Sequence, residues 1–216
     1  MVVKNIRAIF FDLDGTLVDS FPAIETSYNF ALGKMSHARL TFDEVKKMVG
    51  GGLRESFIDL VGEEQSDESV SLFRTKYKEV YIKETTLLPY VYHVISALSR
   101  KDLILGVITN KFGDFARGIL SEFKLLSYFS AVIGDGDGYQ LKPDSAIMKE
   151  LIARFNLLPE EVAYIGDGPI DINFCRASGV YAYGIATGNY TRAELTRHSP
   201  DRLMDSLDEL LTDLGF

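Results

Sequence analysis

The chain has 216 residues, of which 46% are hydrophobic and 25% charged, and its formal net charge is −8. This composition is typical of a globular protein with one sizeable core, or one core and a small second domain. The negative charge and the lack of a basic stripe argue against a nucleic-acid partner, and no apolar run is long enough for a membrane-spanning helix. The single cysteine, Cys175, fits a reducing compartment, so we expect a cytoplasmic protein.

The first predicted strand, RAIFFD, is followed by a long helical stretch. About ninety residues separate it from the next strand, many more than a crossover connection requires. Asp19 and Ser20 can cap a helix that has Pro22 in its first turn. Thr41 and Glu44 form a capping box at the start of a second helix.

Further helices fill the remainder of this stretch. The triple glycine at residues 50–52 interrupts the pattern, which resumes in LRESFIDLV and continues in DESVSLFRTKYKEVYIKE. We therefore predict an inserted helical domain, residues 19–86, within an α/β core made of residues 1–18 and 87–216.

The rest of the chain alternates between strands and helices. The runs LILGVIT, SAVIG, EVAYIGD and VYAYGI each predict a buried strand. Four neighbouring segments carry apolar residues at the three- and four-residue spacing of helices, namely YVYHVISALSRK, GDFARGILSEF, DSAIMKELIARF and PIDINFCRASG. Repeated strand–helix units predict an α/β fold with a parallel sheet covered by helices on both faces.

Polar residues gather where the predicted strands end, and parallel sheets place their chemistry at the carboxyl ends of strands. Asp12 and Asp14 lie one residue apart and repel each other, so a positive charge is expected beside them. Oxygen ligands suit magnesium, which often shares its coordination sphere with a phosphate, and a carboxylate can attack a phosphoryl group. The residues at this edge are Asp12, Asp14, Thr109, Asn110, Lys142, Asp167 and Asp171.

Four short motifs, in order along the chain, resemble those of the haloacid dehalogenase-like hydrolase superfamily. They are DLDGT, TN, KP and GDGPID, and the resemblance covers essentially the whole chain. The position of the helical insertion is similar to the cap of the branch that contains phosphoglycolate phosphatases and β-phosphoglucomutases. The resemblance implies a Rossmann-like parallel sheet with an inserted α-helical cap, and catalysis through an aspartyl-phosphate.

The resemblance also implies roles for the polar residues. Asp12 would be the nucleophile, and Asp14 would protonate the leaving oxygen and then activate water. Thr109, with nearby backbone N–H groups, would hold the phosphate oxygens, and Asn110 would contact the substrate as well. Lys142 would neutralise the charge of the phosphate and the nucleophile.

Magnesium would be bound by four aspartates, according to the same resemblance: Asp12, Asp14, Asp167 and Asp171. Asp14 would contribute its backbone carbonyl, which leaves its side chain free for proton transfer. Gly168 departs from the family pattern, because a threonine or serine commonly stands there. The loss of that hydroxyl is expected to tune the site without abolishing its function.

Substrate recognition is expected to involve the glycine loop of the helical insertion. Gly51 would let the backbone approach the substrate closely. Lys47 and Arg54 flank this loop and could reach the leaving group, although a solvated helix face explains them equally well. We predict Gly51 and Arg54 as substrate-binding residues.

Three other functions fit parts of the pattern. Dehalogenation is disfavoured because the dehalogenases of this superfamily lack the second acid, Asp14. A β-phosphoglucomutase-like mutase and a non-catalytic phosphometabolite-binding protein stay open as alternatives. Our interpretation is a magnesium-dependent phosphatase, monomer or homodimer, that hydrolyses a small phosphorylated metabolite, with phosphoglycolate as the leading candidate.

Overall fold

A six-stranded parallel sheet forms the centre of the fold, in a computed structural model that describes residues 5–216. The strands of the chain are β1 (Ala8–Phe11), β2 (Val18–Asp19), β3 (Thr86–Leu87), β4 (Ile104–Phe112), β5 (Ala131–Asp135), β6 (Val162–Gly166), β7 (Tyr181–Ile185) and β8 (Arg202–Met204). The order in the sheet is β5-β4-β1-β6-β7-β8, and all neighbouring strands run parallel. The five predicted strands and the α/β fold class are confirmed.

Two features of the sheet differ from the sequence-based expectation. Strand β8 was not predicted, because its three residues are too few to show a periodic pattern. The prediction that β4 ends at Thr109 and Asn110 is wrong, since the strand continues to Phe112, which pairs with Asp135 after a register shift. The added length carries Lys111 into the strand.

The described residues form ten α-helices, of which the first eight were predicted from the sequence and the last two were not. They are α1 (Phe21–Lys34), α2 (Phe42–Met48), α3 (Leu53–Val61), α4 (Glu63–Val80), α5 (Val91–Leu98), α6 (Gly113–Glu122), α7 (Ala146–Arg154), α8 (Pro169–Ser178), α9 (Arg192–Arg197) and α10 (Glu209–Asp213). None of them, within residues 5–216, has the length and apolarity that crossing a membrane would require.

Helices cover both faces of the sheet, and the side chains of strand β1 contribute to the apolar cluster on each face. Its side chains alternate, so Ile9 and Phe11 join one apolar cluster and Ala8 and Phe10 join another. The first cluster is completed by α5, α6 and α10, and the second by α7, α8 and α9. All four β1 side chains are fully buried, which explains the continuous apolar run in the sequence.

The helices α1 to α4 have a core of their own, formed by aromatic side chains. The ring of Tyr28 lies 5.0 Å from that of Phe57 and 4.9 Å from that of Phe73, and Tyr77 stacks on Phe73 at 5.5 Å. This separate core supports the division into a helical domain, residues 19–86, and an α/β core, which stays a prediction.

An antiparallel ribbon joins the helical segment to the sheet. In it Val18 pairs with Leu87, and Asp19 pairs with Thr86. The predicted domain boundaries therefore fall inside this ribbon.

The start of α1 differs from the predicted cap. Ser20 stands at the N-cap but makes no capping hydrogen bond with its side chain. Its hydroxyl donates to the carboxylate of Asp14, and the side chain of Asp19 accepts from the Phe21 N–H at 3.2 Å. The predicted capping box of Thr41 and Glu44 is confirmed.

Replacing Phe57 by alanine should test the aromatic core of the helical segment. Phe57 is fully buried, so Phe57→Ala should lower the free energy of unfolding by about 3–5 kcal/mol. Phe42→Ala is the control, because Phe42 is 38% exposed and should cost less than about 1 kcal/mol. Urea denaturation followed by circular dichroism measures both, and equal losses would contradict the assigned core.

Candidate active site

Three buried aspartates meet at the carboxyl ends of β1 and β6, which are neighbours in the sheet. Asp12 follows β1, Asp167 follows β6, and Asp171 lies in the first turn of α8. Each offers a carboxylate oxygen within 4.8 Å of the other two. All three were predicted from the sequence, and the structure brings them together as expected from parallel-strand geometry.

Lys142 supplies the positive charge beside these acids. Its ammonium Nζ is buried and lies 2.7 Å from Asp171 Oδ1 and 3.0 Å from Asp12 Oδ1, and it donates to the Tyr164 hydroxyl at 2.8 Å. Burial alone would lower the pKa of Lys142, but the charges of Asp12 and Asp171 raise it above its usual range. The lysine therefore stays charged beside the acidic cluster.

The carboxylate of Asp12 is only partly compensated by Lys142. Its Oδ1 is buried and accepts no hydrogen bond from the described residues, because the nearby Lys142 ammonium forms an ion pair without hydrogen-bond alignment. Burial raises the pKa of Asp12 to about 6, although Lys142 opposes the shift. A buried oxygen without a donor calls for an explanation, and an incoming ligand is the simplest one.

Asp167 is held in a space that only glycines leave open. A Cβ atom at Gly15 would lie 2.5 Å from Asp167 Oδ2, and one at Gly188 would lie 1.8 Å from the same oxygen. The Asn189 N–H donates to this oxygen at 3.0 Å. Burial, and then the charges of Asp171 and Asp12, raise the pKa of Asp167 well above its usual range.

The start of α8 positions Asp171. Pro169 stands in the first turn, and the Gly168 N–H donates to Asp171 Oδ2 at 3.0 Å. The other oxygen, Oδ1, faces Lys142. Asp171 is thus oriented by the backbone of α8, and the hydroxyl that Gly168 lacks takes no part in this contact.

The donor set fits a divalent metal ion. Three buried carboxylates offer hard oxygen ligands at close range. Without a cation, burial and mutual repulsion raise the pKa values of Asp12 and Asp167, and a bound cation would reverse that effect. The predicted metal site is therefore supported by its chemistry as well as its geometry.

Asp14 faces a second lysine that sequence reasoning missed. Lys111 Nζ lies 2.8 Å from Asp14 Oδ2 and 2.9 Å from Oδ1, and Ser20 donates to the same carboxylate. The ring of Tyr77 covers the ammonium at 4.7 Å. Lys111 lies in the irregular end of β4, between the register shift at Ile108 and the pairing of Phe112, and it lines the same cavity as Thr109. Sequence alternation gives no signal for it there.

Thr109 and Asn110 lie at the site but differ in their contacts. Thr109 is buried, and its Oγ1 accepts from the Lys111 N–H at 3.2 Å. Asn110 accepts from the Lys142 N–H at 2.7 Å and donates to the carbonyls of Lys142 and Gly50 at 3.1 and 2.9 Å. The amide of Asn110 therefore joins the glycine loop to the lysine.

A cavity of about 670 Å³ lies between the sheet edge and the helical segment. Asp12, Asp14 and Gly51 line it, as predicted. Arg54 is not among its lining residues, because its guanidinium binds Glu63 at 2.6 Å and Asp67 at 2.7 Å. The structure therefore does not bring Arg54 to the site.

The opposite wall contains residues that the sequence did not single out. They come mainly from α1, α3 and α4 and combine aromatic and charged side chains: Tyr28, Glu55, Asp59, Phe73, Arg74 and Tyr77.

The chain is similar to known proteins over nearly its full length. A family model described as haloacid dehalogenase-like hydrolase matches residues 9–185. A phosphoglycolate phosphatase from Salmonella choleraesuis is 32% identical, over 99% of this chain and 94% of the relative. That of Escherichia coli (strain K12) is 31% identical, over 98% and 94%.

Solved structures agree with this result. A haloacid dehalogenase-like family hydrolase from Streptococcus pneumoniae superposes with a TM-score of 0.89 at 27% identity, covering 98% of this chain and 99% of the other. A predicted phosphoglycolate phosphatase from Haemophilus somnus also gives 0.89 at 27% identity, over 96% and 97%.

The site and the fold are those of an α/β enzyme that transfers phosphoryl groups, and the family model matches most of the chain. The chain belongs to the haloacid dehalogenase-like hydrolases. The predicted family and the predicted enzyme class, a phosphoric monoester hydrolase, are confirmed.

Substitution of Gly188 tests the packing around Asp167. The added methyl of Gly188→Ala must displace the Asp167 carboxylate, so phosphate release from p-nitrophenyl phosphate should fall about 10–100-fold while the fold persists. Gly33→Ala is the matched control, since nothing lies within 4 Å of the added atom. It should keep full activity and gain up to about 1 kcal/mol of stability. Equal activity in both variants would contradict the proposed constraint.

Proposed function

We propose that the protein is a magnesium-dependent phosphatase that hydrolyses a small phosphomonoester through an aspartyl-phosphate on Asp12. The observation that carries this proposal is the state of Asp12. The residue lines the cavity, and its buried Oδ1 lies 3.0 Å from the Lys142 ammonium and accepts no hydrogen bond within the described residues. A nucleophile needs an oxygen that is free of donors, and a nearby cation attracts the phosphoryl group towards it.

The first half of the reaction transfers the phosphoryl group to the enzyme. An oxygen of Asp12 forms a bond to phosphorus while the bond between phosphorus and the ester oxygen breaks. Asp14 donates a proton to that leaving oxygen, and the alcohol departs. Lys142 stabilises the charge on the phosphoryl oxygens, and Thr109 offers them its hydroxyl.

The second half releases phosphate and restores the enzyme. Asp14 accepts a proton from water as the water oxygen bonds to phosphorus and the bond to Asp12 breaks. Lys111 forms an ion pair with Asp14, and Ser20 donates a hydrogen bond to the same carboxylate, so both contacts orient the acid. In the first half Asp14 must carry a proton, so the pair with Lys111 has to loosen.

Magnesium would be held by the carboxylates of Asp12, Asp167 and Asp171 and by the backbone carbonyl of Asp14. When bound, it supplies positive charge that offsets the repulsion among the carboxylates and binds phosphoryl oxygens. The close packing of Asp167 against Gly15 and Gly188 fixes one carboxylate of this set.

A small substrate resembling phosphoglycolate fits the relatives, which are phosphoglycolate phosphatases. A mutase must hold a second phosphate, for which Lys47 and Arg54 are the candidate ligands. Lys47 lines the cavity, but Arg54 is engaged by Glu63 and Asp67 outside it. We therefore favour hydrolysis over isomerisation. A cytoplasmic location and a monomeric or homodimeric state stay predictions.

Removing the nucleophile is the most direct test of the mechanism. Asp12→Asn keeps the size of the side chain and removes its charge, so phosphate release should fall by several orders of magnitude in a folded protein. Beryllium fluoride, a phosphoryl mimic, should bind the wild-type protein at Asp12 and not bind the variant. Retained activity in pure, folded Asp12→Asn protein would exclude the aspartyl-phosphate.

Metal dependence provides the second test. A chelator should abolish activity, magnesium should restore it, and calcium should inhibit, because calcium prefers more ligands at longer distances. Magnesium should also raise the melting temperature of the wild-type protein, and Asp167→Asn should lose most of that shift. Asp102→Asn, at an exposed position far from the cluster in the sequence, should keep it. Full activity in chelator would refute the metal requirement.

A further inference from the structure

Arg74 is a cation on the cavity wall that the proposed mechanism does not use. It lies on α4, and its guanidinium stacks over the Phe112 ring, 4.7 Å from the centroid. One terminal nitrogen binds Asp135 Oδ2 at 3.0 Å. These two contacts fix the plane of the guanidinium and engage only part of its five N–H donors.

The Nε atom of Arg74 is buried and has no hydrogen-bond partner among the described residues. A buried N–H without an acceptor lowers stability, so such groups are rare unless a ligand or ordered water satisfies them. Nη2 donates to Asp135, and the other terminal N–H groups of the guanidinium are left to bind an acceptor in the cavity, for which the two oxygens of a carboxylate have a matching geometry.

The position of Arg74 relates it to the reaction centre. Tyr77, one turn further along α4, covers Lys111, which binds Asp14. Phe112 and Asp135 are the last residues of β4 and β5, and β4 is the neighbour of β1. Arg74 therefore lies over the ends of β4 and β5, and the cavity that it lines is the one that Asp12 lines as well. A molecule bound in this cavity can contact both residues.

The other cations near the site are less suited than Arg74 to binding the carboxylate of a ligand. Lys111 and Lys142 are engaged by aspartates that the mechanism requires. Lys47 lines the cavity but is exposed, and a solvated ammonium on a flexible chain binds a carboxylate weakly. The side chain of Arg74 is 41% exposed, but Asp135 and the Phe112 ring orient its guanidinium before a ligand arrives.

The same wall limits how much negative charge a ligand can carry. Glu55 and Asp59 of α3 also line the cavity, as does Asp135. Further anionic groups on a long leaving group would meet these carboxylates and be repelled.

We propose that Arg74 is a specificity residue that binds one carboxylate on the leaving group of the substrate. The inference rests on the proposed phosphatase function and narrows its substrate class to short phosphomonoesters with a single carboxylate. Asp135 and Phe112 hold the guanidinium in position, and the phosphoryl group occupies the other end of the cavity, beside Asp12.

A matched pair of esters tests this proposal. Phosphoglycolate carries the carboxylate, and ethylene glycol monophosphate replaces it with an uncharged hydroxymethyl group. The quantity measured is the ratio of kcat/KM for phosphoglycolate to kcat/KM for the neutral ester. The wild-type enzyme should favour phosphoglycolate, and Arg74→Gln should lower the ratio about 10–100-fold, as expected for a lost hydrogen bond to a charged group.

Arg54→Gln is the control variant, since Arg54 belongs to the same helical segment but pairs with Glu63 and Asp67. It should leave the ratio unchanged. A ratio that is unaffected by Arg74→Gln, or that falls equally in Arg54→Gln, overturns the proposal, as does a wild-type enzyme that prefers the neutral ester. If wild-type protein hydrolyses neither ester nor p-nitrophenyl phosphate, the phosphatase function itself is overturned.

Discussion

The ion pairs of Lys142 are the interactions on which the active site depends. Its ammonium lies within 3.0 Å of carboxylate oxygens of both Asp12 and Asp171 in a fully buried setting. Without that charge, three carboxylates would share one buried volume with no cation from the protein, and at least one would take up a proton. Breaking a buried pair of this kind costs about 3–5 kcal/mol. Lys142 thus opposes the rise that burial causes in the pKa of Asp12, and it stabilises the sheet edge at the same time.

Hydrogen bonds with Asn110 and Tyr164 hold Lys142 in position. Asn110 binds the backbone N–H and carbonyl of Lys142, and the hydroxyl of Tyr164 accepts from its ammonium and donates to the Ile108 carbonyl. Ile108 and Asn110 belong to β4, next to the strand that presents Asp12. The lysine is therefore attached to the strands that define the site, although it lies in a loop.

The sheet and the acidic cluster could be predicted because both are encoded locally. The apolar run of β1 ends at Asp12, that of β6 ends at Asp167, and parallel pairing alone brings these ends together. Lys111 and Arg74 could not be predicted in this way. Lys111 depends on how far β4 extends, and Arg74 depends on how α4 packs over the ends of β4 and β5. Arg54 was predicted as a substrate ligand from its place beside the glycines, but Glu63 and Asp67 are close enough to bind it first.

The contacts of Asp14 link its chemistry to the arrangement of the two parts of the molecule. Its carboxylate accepts from Ser20 at the start of α1, and its partner Lys111 is covered by Tyr77 of α4. The acid to which the proposed mechanism assigns the proton transfers thus contacts a side chain at the start of the helical segment, and the lysine that binds it is covered by another. Asp14 therefore stands at the seam of the molecule, where a substitution in either part can reach the reaction centre through a direct contact.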